Sequence, residues 1–230
     1  IERLFVENEQ ASLIVTDPPY NIDYGNSEQD RARARGRIME NRSILNDNMD
    51  DESFYKFLFK FYETAYAITK GGGVIYVFHS TKESVNFIEA MKDAGFKVSQ
   101  TLVWAKDHFT LGRNDYQWQH EPILYGWKPG AGHYFVDDRS LSTVWFYDKP
   151  KHNDLHPTMK PLELVGQGIN NGSLLGQLVL DLFGGSGSTL IACEQAGRNN
   201  CSMELDEKYA DVIVKRFIRF KGSTEGCFLI

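Results

Sequence analysis

The sequence predicts an α/β fold built on a doubly wound, mainly parallel sheet. Short apolar runs typical of buried strands alternate along the chain with segments of helical periodicity. A glycine-rich turn joins one of these runs to a helix, which is where open parallel sheets bind ligands. The 230 residues suit one domain, residues 1–230, with an inserted segment.

The first half of the chain is divided by its apolar runs and its turn residues. The run Ser12–Thr16 predicts a short buried strand, and the polar residues 21–50 predict a long loop. Apolar side chains at helical spacing between 53 and 68 predict a helix that Gly71–Gly73 ends. The continuous apolar run Val74–Phe78 predicts a second buried strand.

The remaining elements follow from the same signals. A helix capped by Ser80 or Thr81 and strands at 97–104 and 121–127 are predicted next. Residues 128–156 lack periodicity and are expected to be rich in loops. The last elements are predicted to be a strand at 178–183, a helix at 189–196, a strand at 201–205 and a helix capped by Asp206.

The glycine turn that begins at Asp181 predicts a cofactor site. In the segment DLFGGSGS, glycine permits a sharp turn and a close approach of the backbone to a ligand. Glu204 lies 20 residues after Gly184, where a carboxylate can accept hydrogen bonds from ribose hydroxyls. The turn matches neither G-x-G-x-x-G nor a phosphate-binding loop, so a nucleoside carrying a carboxylate fits better than a triphosphate. The alternative is an ordinary connection between strand and helix.

The tetrapeptide Asp17-Pro18-Pro19-Tyr20 predicts a site of chemistry directly after the first strand. Two prolines make a rigid turn and leave carbonyl groups free to accept hydrogen bonds. The Asp17 carboxylate is a second acceptor, and Tyr20 is an aromatic surface on which a planar base can stack. Such acceptors suit an exocyclic amino group and stabilise the positive charge that develops when it attacks a methyl donor. The alternative is a stiff surface loop.

Together these residues resemble the S-adenosylmethionine-dependent amino methyltransferases of DNA. Asp17–Tyr20 is similar to the catalytic tetrapeptide of that family, and Asp181–Gly187 is similar to its cofactor motif. His156–Pro161 (HPTMKP) is similar to the segment that enters the helix before the cofactor motif. The catalytic motif comes first and the cofactor motif last, as in the beta subclass. The resemblance extends from about Ser12 to Phe220.

This resemblance implies a Rossmann-like sheet of seven strands with a permuted motif order, and S-adenosylmethionine as cofactor. It implies that Asp17 and the Pro18 carbonyl hold the target amino group and that Tyr20 stacks on a base flipped out of double-stranded DNA. Pro19 completes the catalytic motif. The cofactor-binding residues that it implies are Asp181, Phe183, Gly184, Gly185, Ser186, Gly187 and Glu204, with Thr158 and Lys160 at the methionine end.

An aspartate-first tetrapeptide resembles adenine-N6 enzymes more than cytosine-N4 enzymes. The expected activity is therefore site-specific methylation of adenine N6 in DNA, as in restriction-modification systems. Cytosine-N4 methylation and a non-catalytic DNA-binding module with the same fold are the alternatives. Methylation of RNA or of a protein glutamine is a further alternative, against which Asp17 speaks because related tetrapeptides there tend to begin with asparagine.

Two segments are expected to contact DNA. The loop 21–50 carries four clustered arginines, a residue type that pairs with phosphate and with guanine edges. Residues 106–156 are the expected target-recognition region, inserted between the two motifs. The alternatives are a solvated run of charge for the loop and an aromatic loop pair at a dimer contact for the insertion. The four arginines are Arg31, Arg33, Arg35 and Arg37.

Composition sets further expectations. The formal net charge is −6, but residues 1–30 alone hold one basic and seven acidic side chains, so the total says little about a local DNA surface. No membrane span is expected, and three cysteines without CxxC spacing fit a reducing cytoplasm.

No metal site is predicted, and His79 is expected to be a hydrogen-bonded core residue. A homodimer is expected by analogy with the beta subclass, and Ile1 suggests that an N-terminal piece is missing.

Overall fold

A computed structural model describes residues 9–23, 44–112, 114–149 and 159–224. Within these residues the chain forms one seven-stranded sheet of order β5-β3-β4-β2-β1-β6-β7. The strands are β1 (Ala11–Thr16), β2 (Thr69–Phe78), β3 (Lys97–Thr110), β4 (Trp118–Trp127), β5 (Val144–Phe146), β6 (Leu178–Asp181) and β7 (Asn199–Ser202). The helices are α1 (Asp51–Ile68), α2 (Ser84–Asp93), α3 (Leu162–Gly172), α4 (Ser188–Ala196) and α5 (Glu207–Lys221).

The central strand β1 determines where ligands can bind. It pairs in parallel with β2 on one side and with β6 on the other, so these three strands end at the same edge of the sheet. Strand β4 pairs antiparallel with β2 and β3, so its first residues also reach that edge. Segments far apart in sequence therefore meet beyond the carboxyl ends of β1 and β6, as expected for an open α/β sheet.

Helices cover both faces of the sheet, which confirms the doubly wound fold. Against one face, α1 and α2 pack through buried residues such as Phe54, Leu58 and Phe87. Against the other, α3 and α4 pack through residues such as Leu164 and Ala192. Side chains of the central strands alternate between the two cores, as the pleat of a strand requires.

The predicted role of Gly71–Gly73 is wrong. Helix α1 ends at Ile68 with Thr69 as its C-cap, and the three glycines lie inside β2. Gly72 has φ +77°, and a Cβ there would lie 2.3 Å from the carbonyl oxygen of Gly132. Glycine is needed because a neighbouring backbone passes this strand closely, not because a helix stops.

Other predicted boundaries shift. Strand β7 ends at Ser202, so Glu204 lies in the turn before α5 and not at the end of the strand. Within the proposed recognition region, Val144–Phe146 forms β5 and pairs with β3, whereas residues 128–143 contain neither helix nor strand. Across the described ranges, none of the helices has the length and apolar character needed to cross a membrane.

His79 follows β2 and lies in the core, as predicted, where its contacts with the backbone of Val77 and Pro122 fall short of standard hydrogen-bond geometry. Its side chain packs beside Phe87, with 5.3 Å between the ring centroids, and the residue is 1% exposed. Neither ring nitrogen has a hydrogen-bond partner within the part of the chain that the structure describes. Burial lowers the pKa of His79 to about 4, so the ring is neutral at physiological pH.

Candidate active site

The predicted catalytic turn and the predicted cofactor turn border one cavity of about 360 Å³. The tetrapeptide Asp17–Tyr20 follows β1, and the segment Asp181–Ser186 begins at the end of β6. Because β1 and β6 are parallel neighbours, the two turns leave the sheet side by side. The cavity therefore joins the two sites that the sequence analysis treated separately.

Asp17 is held on both oxygens. Its Oδ1 accepts a hydrogen bond of 2.5 Å from the Tyr20 hydroxyl, and its Oδ2 forms an ion pair of 2.6 Å with the Lys160 ammonium. Lys160 Nζ also donates to the Tyr20 hydroxyl oxygen at 3.2 Å. Burial raises the pKa of Asp17, and the charge of Lys160 opposes that rise.

A second carboxylate, Glu121 at the start of β4, completes a buried charge network. Its Oε1 pairs with Lys106 at 2.6 Å, and its Oε2 lies 3.3 Å from Lys160 Nζ and 3.2 Å from the Tyr20 hydroxyl. Burial raises the pKa of Glu121, but the two ammonium groups outweigh it and bring the pKa to about 2. Two carboxylates and two ammonium groups thus balance in charge beside the catalytic turn.

The glycine turn is held by backbone hydrogen bonds and by Glu204. The Gly184 N–H donates to the Met203 carbonyl at 2.7 Å, and the Gly185 N–H donates to Glu204 Oε2 at 2.7 Å. The other Glu204 oxygen accepts from the Asp206 N–H at 2.9 Å. Glu204 therefore shapes the turn and faces the same cavity.

Two glycines of this turn adopt left-handed backbone conformations. Gly185 has φ +52°, and Gly187 has φ +78° at the N-cap of α4. A Cβ on Gly187 would also lie 3.1 Å from Ile213 of α5. This turn uses glycine both for its backbone angles and for close packing.

Asp181, the last residue of β6, is a buried carboxyl in the same cavity. Its Oδ1 accepts from the Thr16 hydroxyl at 2.8 Å and from the Phe183 N–H at 3.1 Å. Burial raises the pKa of Asp181 to about 7, although these hydrogen bonds favour the ionised form. The group therefore titrates near neutral pH.

The structure brings most of the predicted site residues together. Gly187 lies outside the cavity lining and caps α4 instead. Thr158 and the four arginines of the loop 21–50 lie outside the described residues. The predicted residues that line the cavity are Asp17, Pro18, Pro19, Tyr20, Lys160, Asp181, Phe183, Gly184, Gly185, Ser186 and Glu204.

Sequence reasoning missed Glu121 and Lys106, and it placed Lys160 only near the cofactor. The Lys160 carbonyl does lie beside the glycine turn, where it accepts from Ser188 Oγ at 3.1 Å. Its ammonium, however, extends to Asp17. A charged residue at the start of a predicted strand was the only signal for Glu121, and many surface residues share it.

Comparison with known protein families matches residues 11–215 to the DNA methylase family of N6 and N4 amino methyltransferases. The chain belongs to this family. Among curated proteins, this DNA methylase is 26% identical to the Type II methyltransferase M.HpaI of Haemophilus parainfluenzae, over 92% of this chain and 69% of that protein. It is 24% identical to the DNA adenine methyltransferase YhdJ of Escherichia coli strain K12, over 90% and 76%.

A solved structure supports the fold of this DNA methylase. The crystal structure of the M1.HpyAVI–SAM complex superimposes with a TM-score of 0.71 at 22% identity, covering 94% of this chain and 93% of that one. This likeness confirms the Rossmann-like methyltransferase fold. S-adenosylmethionine as the methyl donor follows from membership of the DNA methylase family. The family contains both adenine-N6 and cytosine-N4 enzymes.

The carboxylates and aromatic side chains that line the cavity fit S-adenosylmethionine. A positively charged sulfonium and two ribose hydroxyls need acceptors, and the carboxylates Asp181 and Glu204 face the cavity beside the glycine turn. The aromatic side chains of Phe57 and Phe183 line the same space, with 6.0 Å between their ring centroids, and offer apolar surface for the adenine ring.

Proposed function

We propose that this DNA methylase transfers a methyl group from S-adenosylmethionine to the N6 amino group of adenine in double-stranded DNA. The observation that carries the proposal is the position of Asp17. Its carboxylate lies at the end of β1, in the cavity that also contains the glycine turn. Because a base inside a duplex cannot reach this cavity, the target adenine must be flipped out of the stack.

In the proposed reaction, Asp17 and the Pro18 carbonyl accept hydrogen bonds from the two N–H groups of the target amino group. These acceptors favour a pyramidal nitrogen, whose lone pair is then less delocalised into the ring, and they stabilise the positive charge that develops there. Tyr20 holds the base by stacking. When bound, S-adenosylmethionine would supply an electrophilic methyl group and leave as S-adenosylhomocysteine. The proton that the amino nitrogen loses would pass to the Asp17 carboxylate, to which it is hydrogen-bonded, and from there to water.

Adenine is favoured over cytosine on two grounds. The tetrapeptide begins with aspartate, as in the adenine-N6 enzymes that it resembles, and YhdJ, which is similar over most of this chain, is a DNA adenine methyltransferase. Cytosine-N4 methylation is the second candidate, since the family includes such enzymes.

Incubation with S-adenosylmethionine and DNA of varied sequence, followed by mass spectrometry of the nucleosides, tests the proposal. We expect N6-methyl-2′-deoxyadenosine in the DNA digest. N4-methylcytosine alone would replace the first candidate by the second. If the protein binds DNA but neither modifies a base nor binds S-adenosylmethionine, a non-catalytic DNA-binding module would be favoured.

The DNA interface is part of the proposal. Residues 106–156 remain the predicted target-recognition region, and the arginine-bearing loop 21–50 remains the predicted phosphate contact. The homodimer and the cytoplasmic location also remain predictions. If substitutions within 106–156 abolish the preference for a DNA sequence but leave the affinity for S-adenosylmethionine unchanged, they would support the assignment of that segment.

A further inference from the structure

The charge network beside Asp17 contains one more carboxylate than the proposed reaction uses. Lys160 and Lys106 are each 7% exposed, whereas the side chains of Asp17 and Glu121 keep about a quarter of their surface in contact with solvent, at 24% and 23%. The two ammonium groups are thus nearly removed from water. A buried ammonium needs anionic partners, and these two share Asp17 and Glu121 between them.

In this arrangement each carboxylate oxygen of Asp17 already accepts a short hydrogen bond. The Tyr20 hydroxyl occupies Oδ1 and the Lys160 ammonium occupies Oδ2. An amino group that enters competes with these two donors for the negative charge of Asp17. Lys160 is the donor whose removal helps the reaction, because a fixed positive charge beside Asp17 opposes the positive charge that develops on the nitrogen under attack.

Glu121 is placed to receive the displaced ammonium. Its Oε1 is occupied by Lys106 at 2.6 Å, but its Oε2 has only longer contacts, 3.3 Å to Lys160 and 3.2 Å to the Tyr20 hydroxyl. A small movement of Lys160 away from Asp17 shortens its contact with Glu121. The buried ammonium of Lys160 thereby moves from the Asp17 carboxylate to the Glu121 carboxylate without passing into water.

We propose that Glu121 is a positioning residue that takes the Lys160 ammonium from Asp17 when the target amino group enters the site. In the free protein Lys160 fills the place of the substrate N–H donor. In the reactive state Lys160 rests on Glu121, and Asp17 Oδ2 accepts from the target amino group while the Tyr20 hydroxyl stays on Oδ1. Lys106 holds Glu121 ionised and in place throughout. This inference rests on the proposed amino-group methylation.

The test compares Glu121→Gln with the wild-type protein in single-turnover methylation, with S-adenosylmethionine affinity measured by calorimetry. The amide is a poor partner for an ammonium, so Lys160 stays on Asp17. We expect the methylation rate to fall about 10- to 100-fold, as for a misplaced catalytic group, with the affinity for S-adenosylmethionine changed less than about threefold. Glu89→Gln, the same substitution on an exposed position of α2, is the matched control.

Two further variants separate positioning from a structural role. Glu121→Asp keeps the negative charge and serves where the amide variant does not fold; it should retain a higher rate than Glu121→Gln, and equal losses would overturn the proposal. Lys160→Met removes the group that Glu121 receives. In that background Glu121→Gln should cost less than about threefold, because the two residues act as a unit.

Three further results would overturn the inference. One is a wild-type rate in Glu121→Gln, and another is an equal loss from Glu121→Gln with and without Lys160. The third is a complete absence of turnover in Lys160→Met at saturating S-adenosylmethionine, because Lys160 has left Asp17 when the methyl group moves. Failure of the proposed function is distinct, since the wild-type protein itself would then methylate no DNA.

Discussion

Asp181 makes the stability of this fold depend on pH. The residue is 3% exposed, and burial raises the pKa of its carboxyl to about 7 from an ordinary value of 3.8. The unfolded chain therefore releases this proton at a lower pH than the folded chain does. Because the folded-state pKa is the higher of the two, the stability that the protonated group contributes is complete below about pH 4 and is lost as pH rises to about 7.

We predict that Asp181→Asn removes this loss. The interval between 3.8 and about 7 corresponds to at most about 4 kcal/mol, at about 1.4 kcal/mol for each tenfold change in proton affinity. The amide oxygen still accepts from the Thr16 hydroxyl and the Phe183 N–H, whose bonds are 2.8 and 3.1 Å long in the wild-type protein. The variant should match the wild-type protein near pH 4 and exceed its unfolding free energy at about pH 8.

The measurement is urea unfolding of both proteins, followed by circular dichroism, at several pH values between about 4 and 8. Subtracting the two curves cancels every other titrating group. Asp115→Asn, at an exposed position, is the control and should give a difference that does not vary with pH. A difference for Asp181→Asn that is constant over this range, or that shrinks as pH rises, would show that burial does not raise the pKa of Asp181.

Three other predictions follow from the site. Asp17→Ala should lower the methylation rate about 100-fold or more while S-adenosylmethionine affinity stays within about threefold; loss of both in parallel would mean that the two turns do not divide the work. Gly187→Ala should lower the unfolding free energy by about 1–3 kcal/mol because φ is +78° there and Ile213 lies 3.1 Å from the new Cβ, whereas Gly166→Ala, which meets nothing within 4 Å, should not. Replacing Arg31, Arg33, Arg35 and Arg37 by Gln should reduce the salt slope of DNA binding, measured by fluorescence anisotropy, by up to about 3–4, and an unchanged slope would exclude the loop from the interface.

The two turns of the candidate active site are readable in the sequence because their signals are local. A five-residue apolar run ending in Asp-Pro-Pro-Tyr places an acceptor after a buried strand, and a second run ending in glycines places a backbone turn before a helix. Parallel pairing of the two strands is then a general expectation of α/β sheets. The structure confirms that both turns border one cavity.

Local signals mislead where a distant segment decides the outcome. Gly71–Gly73 has the composition of a helix stop, yet the glycines lie inside β2. Position 72 needs glycine because the carbonyl oxygen of Gly132 lies 2.3 Å from where a Cβ would be. Glu204 was placed at the end of a strand, but β7 stops at Ser202 and leaves it in the turn. Neither the approach of Gly132 to Gly72 nor the end of β7 at Ser202 can be read from the sequence alone.

Local residue patterns are enough to predict the α/β class, the glycine turn and the Asp17–Tyr20 turn, because each depends on backbone preferences of neighbouring residues. The charges that meet Asp17, by contrast, come from distant parts of the chain. Lys160 is 143 residues away along the chain, and Glu121 reaches the site because β4 runs antiparallel to β2 and begins where β1 ends. Ion pairs form between whatever side chains the fold brings together, and sheet order determines that at long range.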